Sequence, residues 1–303
     1  MEYKLYKLNF TTSVHFGTGV LNESDISICA DTLFSALYIE ALKLDKANVF
    51  FESVKNNHLL FSDAFPFIGK TYFLPKPLLY IEPKDQGNSS LKKQFKKIKY
   101  LPVSEFPNFI KGDLNPGNCS LHNLGKEYLQ VSASVRSGED DTRPFSVGNF
   151  IFNEDCGLYI IAASETDEEF ELFDEFFDSL SYSGIGGKRK SGKGRFTLTF
   201  GRMDEDLKAM LTKGSDKYML LSSSLPADEE LEYALNGASY LVKRRSGFVY
   251  SSNYSEDESK KRDVYTFQAG SCFKNRYVGT ILDVSEGGNH PVYRYAKGMF
   301  MGV

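Results

Sequence analysis

The run from Gly184 to Arg195 constrains the chain most. It places five glycines among five cations, Lys188, Arg189, Lys190, Lys193 and Arg195, within twelve residues. A helical pattern precedes it and an alternating, strand-like pattern (Phe196, Leu198, Phe200) follows. Glycine reaches backbone angles closed to other residues and lets another molecule approach the main chain. Exposed N–H groups in such a turn form an anion-binding concavity, and the cations add a positive field. Phosphate is the common polyanion that uses both. Two familiar phosphate loops are excluded. Gly187 to Lys193 nearly matches a P-loop, but Gly194 stands where a Ser or Thr should hold magnesium, and the order strand–loop–helix is reversed. The dinucleotide fingerprint fails because Gly184 and Gly186 lead to Arg189 rather than glycine. The plain alternative is a flexible hairpin carrying solvated charges.

The 303 residues are enough for two domains, each with its own core. A net charge of −4 argues against a generally basic nucleic-acid binder, so any polyanion site must be a local patch. Charge is segregated accordingly. Glu165 to Asp178 holds eight acids and no base, and Leu91 to Lys99 holds five lysines and no acid. Cys29, Cys119, Cys156 and Cys272 lack paired spacing, which fits reduced thiols in a cytoplasmic protein. Cys119 and His122 make half a zinc site at most, so neither metal nor cofactor is expected. No signal peptide or membrane-spanning run is expected either.

Along the chain, Tyr6, Leu8 and Phe10 alternate with Leu5, Lys7 and Asn9, which predicts a strand with one buried face. Leu33, Phe34, Leu37, Tyr38 and Ala41 follow helical spacing, with Asp31 as N-cap. The prolines between Phe61 and Pro83 predict extended surface chain or a sheet edge. The polar segment from Pro83 to Lys126 reads as a projecting insertion, or as a disordered loop. Leu129, Val131, Ala133 and Val135 alternate, and Phe150–Phe152 and Leu158–Ala162 give further strands. Thr166 and Glu169 form a capping box for a helix that lines up Phe170, Phe173, Phe176, Phe177 and Leu180. Beyond Asp216, strands at Tyr218–Leu221 and Tyr240–Val242 flank a helix of about three turns carrying Leu231, Ala234 and Leu235. Lys243, Arg244 and Arg245 read as a basic turn, and Phe248 to Tyr250 as the strand that continues the hairpin.

A glycine-rich loop between the second helix and last strand of a β-α-β-β-α-β domain resembles the mark of the RAMP proteins of CRISPR systems. Other stretches narrow the likeness: His15-Phe16-Gly17, Asp31-Thr-Leu-Phe-Ser-Ala-Leu37, Asp63-Ala-Phe-Pro66, Leu74-Pro-Lys-Pro77 and Ser246-Gly-Phe-Val-Tyr-Ser251. In this order they resemble the fourth subunit of the type III-A CRISPR effector, the Csm complex, over nearly the whole chain. The resemblance implies an α+β fold of two ferredoxin-like (RRM-like) domains. Residues 1–201 would form the first, with a thumb-like insertion at about 81–127, and residues 216–303 the second.

The function implied is that of a non-catalytic subunit that holds the five-prime tag of the CRISPR RNA (crRNA). It would dock the large palm-domain subunit, which makes a signalling nucleotide, and the repeated backbone RAMP subunit. Such RNA is single-stranded, so phosphate contacts should combine with base stacking. Lys188, Arg189, Lys190, Lys193 and Arg195 would meet phosphates, helped by Ser191 and by the N–H groups of Gly184, Gly186, Gly187, Gly192 and Gly194. His15, Phe16 and Gly17 would lie beside them, with His15 and Phe16 stacking on or bonding to bases. Arg136 and Arg143 would line the thumb. Lys243, Arg244 and Arg245 would extend the RNA path or face a partner. The lysines between Lys92 and Lys99 read as a solvated face, with RNA contact as the alternative. Three other classes remain open: a metal-independent RAMP endoribonuclease that processes CRISPR RNA using His15, a nucleotide hydrolase built on the near P-loop, and an assembly protein that touches no RNA.

Overall fold

The computed structural model describes residues 1–82, 89–134 and 143–303, with side chains at 1–82, 92–133 and 144–303. In chain order the first half comprises β1 (Glu2–Phe10), α1 (Ala30–Lys43), α2 (Ala47–Lys55), β2 (Leu59–Phe61), β3 (Phe65–Ile68) and β4 (Thr71–Pro75). It continues with α3 (Ser89–Lys97), β5 (Tyr100–Pro102), α4 (Phe106–Ile110), β6 (Gly125–Ser134), β7 (Arg143–Phe152), β8 (Cys156–Ser164), α5 (Asp167–Ser183) and β9 (Phe196–Gly201). After these come α6 (Glu205–Thr212), β10 (Tyr218–Leu220), α7 (Leu231–Leu235), β11 (Val242–Arg245) and β12 (Val264–Phe267). The chain closes with β13 (Cys272–Phe273), β14 (Gly279–Asp283), β15 (Tyr293–Lys297) and β16 (Phe300–Gly302).

Among the described residues the main sheet runs β5-β4-β3-β8-β1-β9, with β2 also on β8. The pairings are antiparallel: Leu8 faces Leu158 on one side of β1 and Leu198 on the other. Both faces of this sheet are covered. Tyr6, Leu8, Leu158 and Ile160 meet α1 and α5, while Leu5, Tyr159 and Ile161 meet the opposite layer. The single buried face predicted for β1 is thereby corrected, because β8 is buried along its whole length and both sides of β1 share its layers. Tyr6 sits between the rings of Phe173 (5.2 Å, edge-on) and Phe177 (5.3 Å, stacked) from α5. Each such buried ring contributes roughly 1.5–3 kcal/mol through burial alone.

The second layer joins the two halves of the chain. Leu5, Tyr159 and Ile161 pack with Leu207 and Leu211 of α6, Met219 of β10 and Met301 of β16 in one cluster. The halves therefore share this cluster, while the second half also keeps a smaller one of its own around Leu220, Phe267, Phe273 and Tyr277. The same cluster holds Leu101, Val103, Phe106 and Phe109. Much of the segment expected to project or to be disordered is thus packed, because its aromatic residues have an apolar layer to enter. What stands out is the β6–β7 hairpin, paired from Gly125–Phe152 to Ser134–Arg143 and leaving Leu129 and Val131 exposed.

Local expectations change where long-range partners compete. Cys29, not Asp31, occupies the N-cap of α1, and Asp31 turns inward from the first turn. Thr166 makes no side-chain cap, its N–H donates to Ser164 Oγ (3.2 Å), and Glu169 accepts a hydrogen bond from Ser53. The prolines do not confine β3 to an edge: it lies between β8 and β4, with Pro66 placed where pairing to β4 has stopped. In the second half α7 spans only five residues after a single 3-10 turn. Lys243, Arg244 and Arg245 lie in β11 and pair with β12 rather than forming a turn. Phe248–Tyr250 is not a strand. Phe248 makes an isolated bridge to Lys260. The second half spreads over a three-stranded sheet, β13-β10-β16, and the ribbons β11-β12 and β14-β15.

Two buried carboxylates fasten the halves. Asp31 accepts hydrogen bonds from Arg245 Nε (2.9 Å) and Nη2 (2.6 Å) and from Arg294 Nη1. Burial opposes its charged form, but the two guanidinium groups outweigh that and hold its carboxyl below the usual range. Asp63 accepts from Ala30 N (2.7 Å), Ser223 N (2.7 Å) and Ser223 Oγ (2.9 Å). No cation touches it among the described residues. Burial pushes its carboxyl from 3.8 up to about 6, against those hydrogen bonds.

A pH prediction follows from that raised value. Between about 4 and about 6 the folded chain keeps a proton on Asp63 that the unfolded chain has released. The stability this supplies is complete below about 4 and is lost as pH rises through 6. Asp63→Asn removes the titration. Denaturant midpoints of the original chain should therefore fall between pH 4 and pH 6.5 relative to those of the variant. Parallel curves would refute the assignment.

Candidate nucleic-acid interface

The glycine run folds back on itself. Helix α5 ends at Gly184, whose φ of 75° and N–H bond to Leu180 O (2.7 Å) turn the chain out of the helix. Ile185 N then donates to Gly194 O (2.9 Å), closing the loop at its base, and Ile185 is buried beneath it. Gly187 N donates to His15 O (2.8 Å), Gly194 N to Ser13 O (2.9 Å) and Gly192 N to Arg189 O (2.8 Å). Four of the five glycine N–H groups are therefore used within the chain. The amide cradle predicted for phosphate is corrected on this point: the glycines serve close packing and reversed turns. A 3-10 turn at Arg189–Ser191, entered through Lys188 at φ 60°, makes the tip a folded structure rather than an open hinge.

The cations divide by role. Lys188, Lys190 and Arg195 are exposed, as is Ser191, and these three cations form no ion pair among the described residues. Lys188 lies 5.5 Å from the Phe145 ring on β7. Arg189 is half-buried, donating to Gly184 O (3.4 Å) with its guanidinium 5.1 Å from the Tyr250 ring. Lys193 is buried, and its ammonium donates to Gln130 Oε1 (2.8 Å) on β6 with Tyr128 5.7 Å away. Predicted as a phosphate contact, Lys193 instead ties the loop to the hairpin.

His15 and Phe16 are also corrected. Both are buried. The carbonyl of Gly148 can only accept, so His15 Nδ1 donates to it (2.6 Å) and carries the proton. Phe16 packs edge-on against Phe10 (5.8 Å) and beneath Gly186. Neither ring is free to stack on a base; they shape the floor under the loop, and Gly17 beside them is exposed. Arg136 lies outside the described residues, and Arg143 is described only as the first residue of β7. Arg245 is committed to Asp31, and Arg244, exposed, has Asp263 at 3.9 Å. Lys243 remains at the site.

The loop borders a cleft of about 340 Å³ lined by Gly186, Gly187 and Arg189, by Cys29 and Thr32 of the α1 entrance, and by Lys243, Phe248 and Tyr250. Phe248 (59% exposed) and Tyr250 (62%) were not among the predicted site residues. The available signal was two large rings two residues apart in a polar stretch, which the expected strand would have placed on one face. Among the described residues no group of three metal-ligating side chains converges, and no helix is long and apolar enough to cross a membrane.

The glycines yield a graded prediction. A Cβ on Gly194 would fall 2.0 Å from Ile185 O at φ +78°, whereas one on Gly192 meets nothing within 4 Å at φ +79°. Gly192→Ala should cost about 1–2 kcal/mol through backbone strain alone. Gly194→Ala should cost clearly more, because the backbone must also move. Equal denaturant midpoints for the two variants would refute this reading of the loop.

Residues 213–303 match the family model described as the CRISPR Csm4 C-terminal domain. The protein of Mycobacterium tuberculosis (strain CDC 1551 / Oshkosh) named CRISPR system Cms protein Csm4 is 39% identical over 305 residues, covering 99% of this chain and 98% of the relative. Its namesake from Streptococcus thermophilus is 36% identical over 314 residues, with the same coverage of 99% and 98%. In solved structures the fold resembles a chain of a Csm3-Csm4 subcomplex of the type III-A CRISPR-Cas interference complex, with TM-score 0.68, 16% identity and 99% of each chain covered. A chain of a Csm1-Csm4 cassette in complex with cA4 matches with TM-score 0.67 at 20% identity, over 100% of this chain and 98% of that one. The identity and near-complete coverage of these relatives mean that the chain belongs to the Csm4 family of CRISPR systems.

Proposed function

We propose that this chain is the RNA-binding, non-catalytic subunit of a cytoplasmic type III-A interference complex, holding the five-prime tag of crRNA. It docks the large palm-domain subunit, the counterpart of Csm1, and the repeated backbone subunit, the counterpart of Csm3. Solved structures of its fold come from Csm3-Csm4 and Csm1-Csm4 assemblies, which supports both partners. The observation that carries RNA binding is the set Lys188, Arg189 and Lys190, raised on a rigid turn beside the exposed rings of Phe248 and Tyr250. Ammonium and guanidinium groups meet phosphates while aromatic faces stack on unpaired bases.

The strand order β9-β1-β8-β3 with α1 and α5 on one face supports reading residues 1–201 as a ferredoxin-like domain. On that reading the β6–β7 hairpin, with exposed Leu129 and Val131, is its thumb. Residues 216–303 would form the second domain; their strands are divided among smaller sheets around one α-helix of five residues. The burial of His15, with Nδ1 bound to a carbonyl, favours binding over cleavage.

Two measurements test the proposal. Replacing Lys188, Arg189 and Lys190 together by Gln should weaken single-stranded RNA binding and make the plot of log affinity against log salt shallower by about 2. An unchanged slope removes the loop from the interface. Repeat RNA incubated with the pure chain should stay intact. Specific cleavage that disappears in His15→Ala would replace this function with an endoribonuclease.

A further inference from the structure

A second basic cleft opens beside the first. It encloses about 450 Å³ and is lined by Lys76, Lys96, Lys99 and Lys243. These lysines come from four places in the sequence: the end of β4, helix α3, the residue before β5, and β11. The fold brings them together through specific bonds. Lys76 N donates to Lys99 O (2.9 Å), and Lys76 Nζ to Phe95 O on α3 (2.9 Å). None of the four lysines forms an ion pair among the described residues. The two carboxylates in the walls are engaged: Asp25 Oδ1 accepts from Ile26 N (2.7 Å), and Asp63 from Ala30 and Ser223. Four cations converging around two occupied carboxylates leave the cleft electropositive, and like charges held together this way favour an anionic occupant.

The two clefts adjoin. Asp25, Ser27, Cys29 and Lys243 line both, so Lys243 stands at the junction between the glycine loop and the α3 lysines. We infer that the RNA strand gripped at the glycine loop runs on past Lys243 into this second cleft, where Lys76, Lys96 and Lys99 bind its next phosphates. The inference rests on the reading of the loop as an RNA site. It makes α3 and the chain leading to β5 a clamp, where the sequence suggested a solvated lysine face. A compact ligand would fill one cleft only, whereas a polyanionic chain follows a cationic groove from one end to the other.

The test uses the full-length chain and single-stranded RNAs of about 4 to 16 nucleotides, the range such grooves cover. Replacing Lys76, Lys96 and Lys99 by Gln should leave the shortest RNA unaffected. For the longest RNA it should make the log–log salt slope shallower by about 2. The double variant Lys96→Gln/Lys99→Gln, which keeps the Lys76–Phe95 bond, should reproduce about two-thirds of that change if the triple variant is loosened. The loop variant of Lys188, Arg189 and Lys190 should weaken RNAs of every length, so a failure of the loop reading registers separately. Unchanged slopes at all lengths in both cleft variants would overturn the inference. So would variants that bind RNA normally but associate less tightly with the large subunit, since the cleft would then belong to an acidic protein surface.

Discussion

Asp31 is buried with both oxygens bonded by Arg245 on β11 and its Oδ2 bonded also by Arg294 on β15, partners 214 and 263 residues away. A lone carboxylate at that depth would be protonated or expelled; two guanidinium groups keep it charged and in place. Removing one member of such a buried group typically costs about 3–5 kcal/mol, because the survivors stay desolvated without a partner. The geometry matters more here than the net energy. Arg245 also donates to Thr32 Oγ1 (2.9 Å), so the entrance to α1 and the β11–β12 ribbon are held in register. Those two elements supply facing walls of the cleft beside the glycine loop. The shape of that cleft thus depends on an ion cluster set at its edge.

The same cluster explains which parts of the fold could be read from the sequence. Local patterns were legible: the alternation of β1 and β9, the phenylalanine stripe of α5, and the glycine run between helix and strand. These follow from periods of 2 and 3.6 that a chain carries wherever it packs. Long-range partners were not. Asp31 reads as an N-cap because Asp is a good one, yet the helix starts a residue earlier and lends the carboxylate to Arg245 and Arg294. Lys193 reads as a free cation because a lysine gives no sign of its burial, and its partner Gln130 sits on another hairpin. Leu5 reads as outward-facing because nothing near it announces that α6, β10 and β16 will return to cover that face. Sequence proximity reports what a residue prefers, and the shared core decides what it does.

The glycine loop shows how that distinction bears on binding. Glycine density suggested bare backbone offered to phosphate, but the N–H groups of Gly184, Gly187, Gly192 and Gly194 already have carbonyl partners. What the glycines provide is shape: Gly194 lets two strands of the loop touch, and Gly186 lets it rest on His15 and Phe16. The charge left exposed at the loop sits on the long side chains of Lys188, Lys190 and Arg195. Contacts of that kind neutralise phosphate without reading sequence, and their strength falls steeply with salt. On the proposed reading, discrimination would then come from the surroundings, where Phe248 and Tyr250 line the cleft and would offer faces to bases. On that reading, a folded turn that displays exposed cations beside an aromatic wall separates the two tasks: the cations would hold the strand, and the wall would distinguish one base from another.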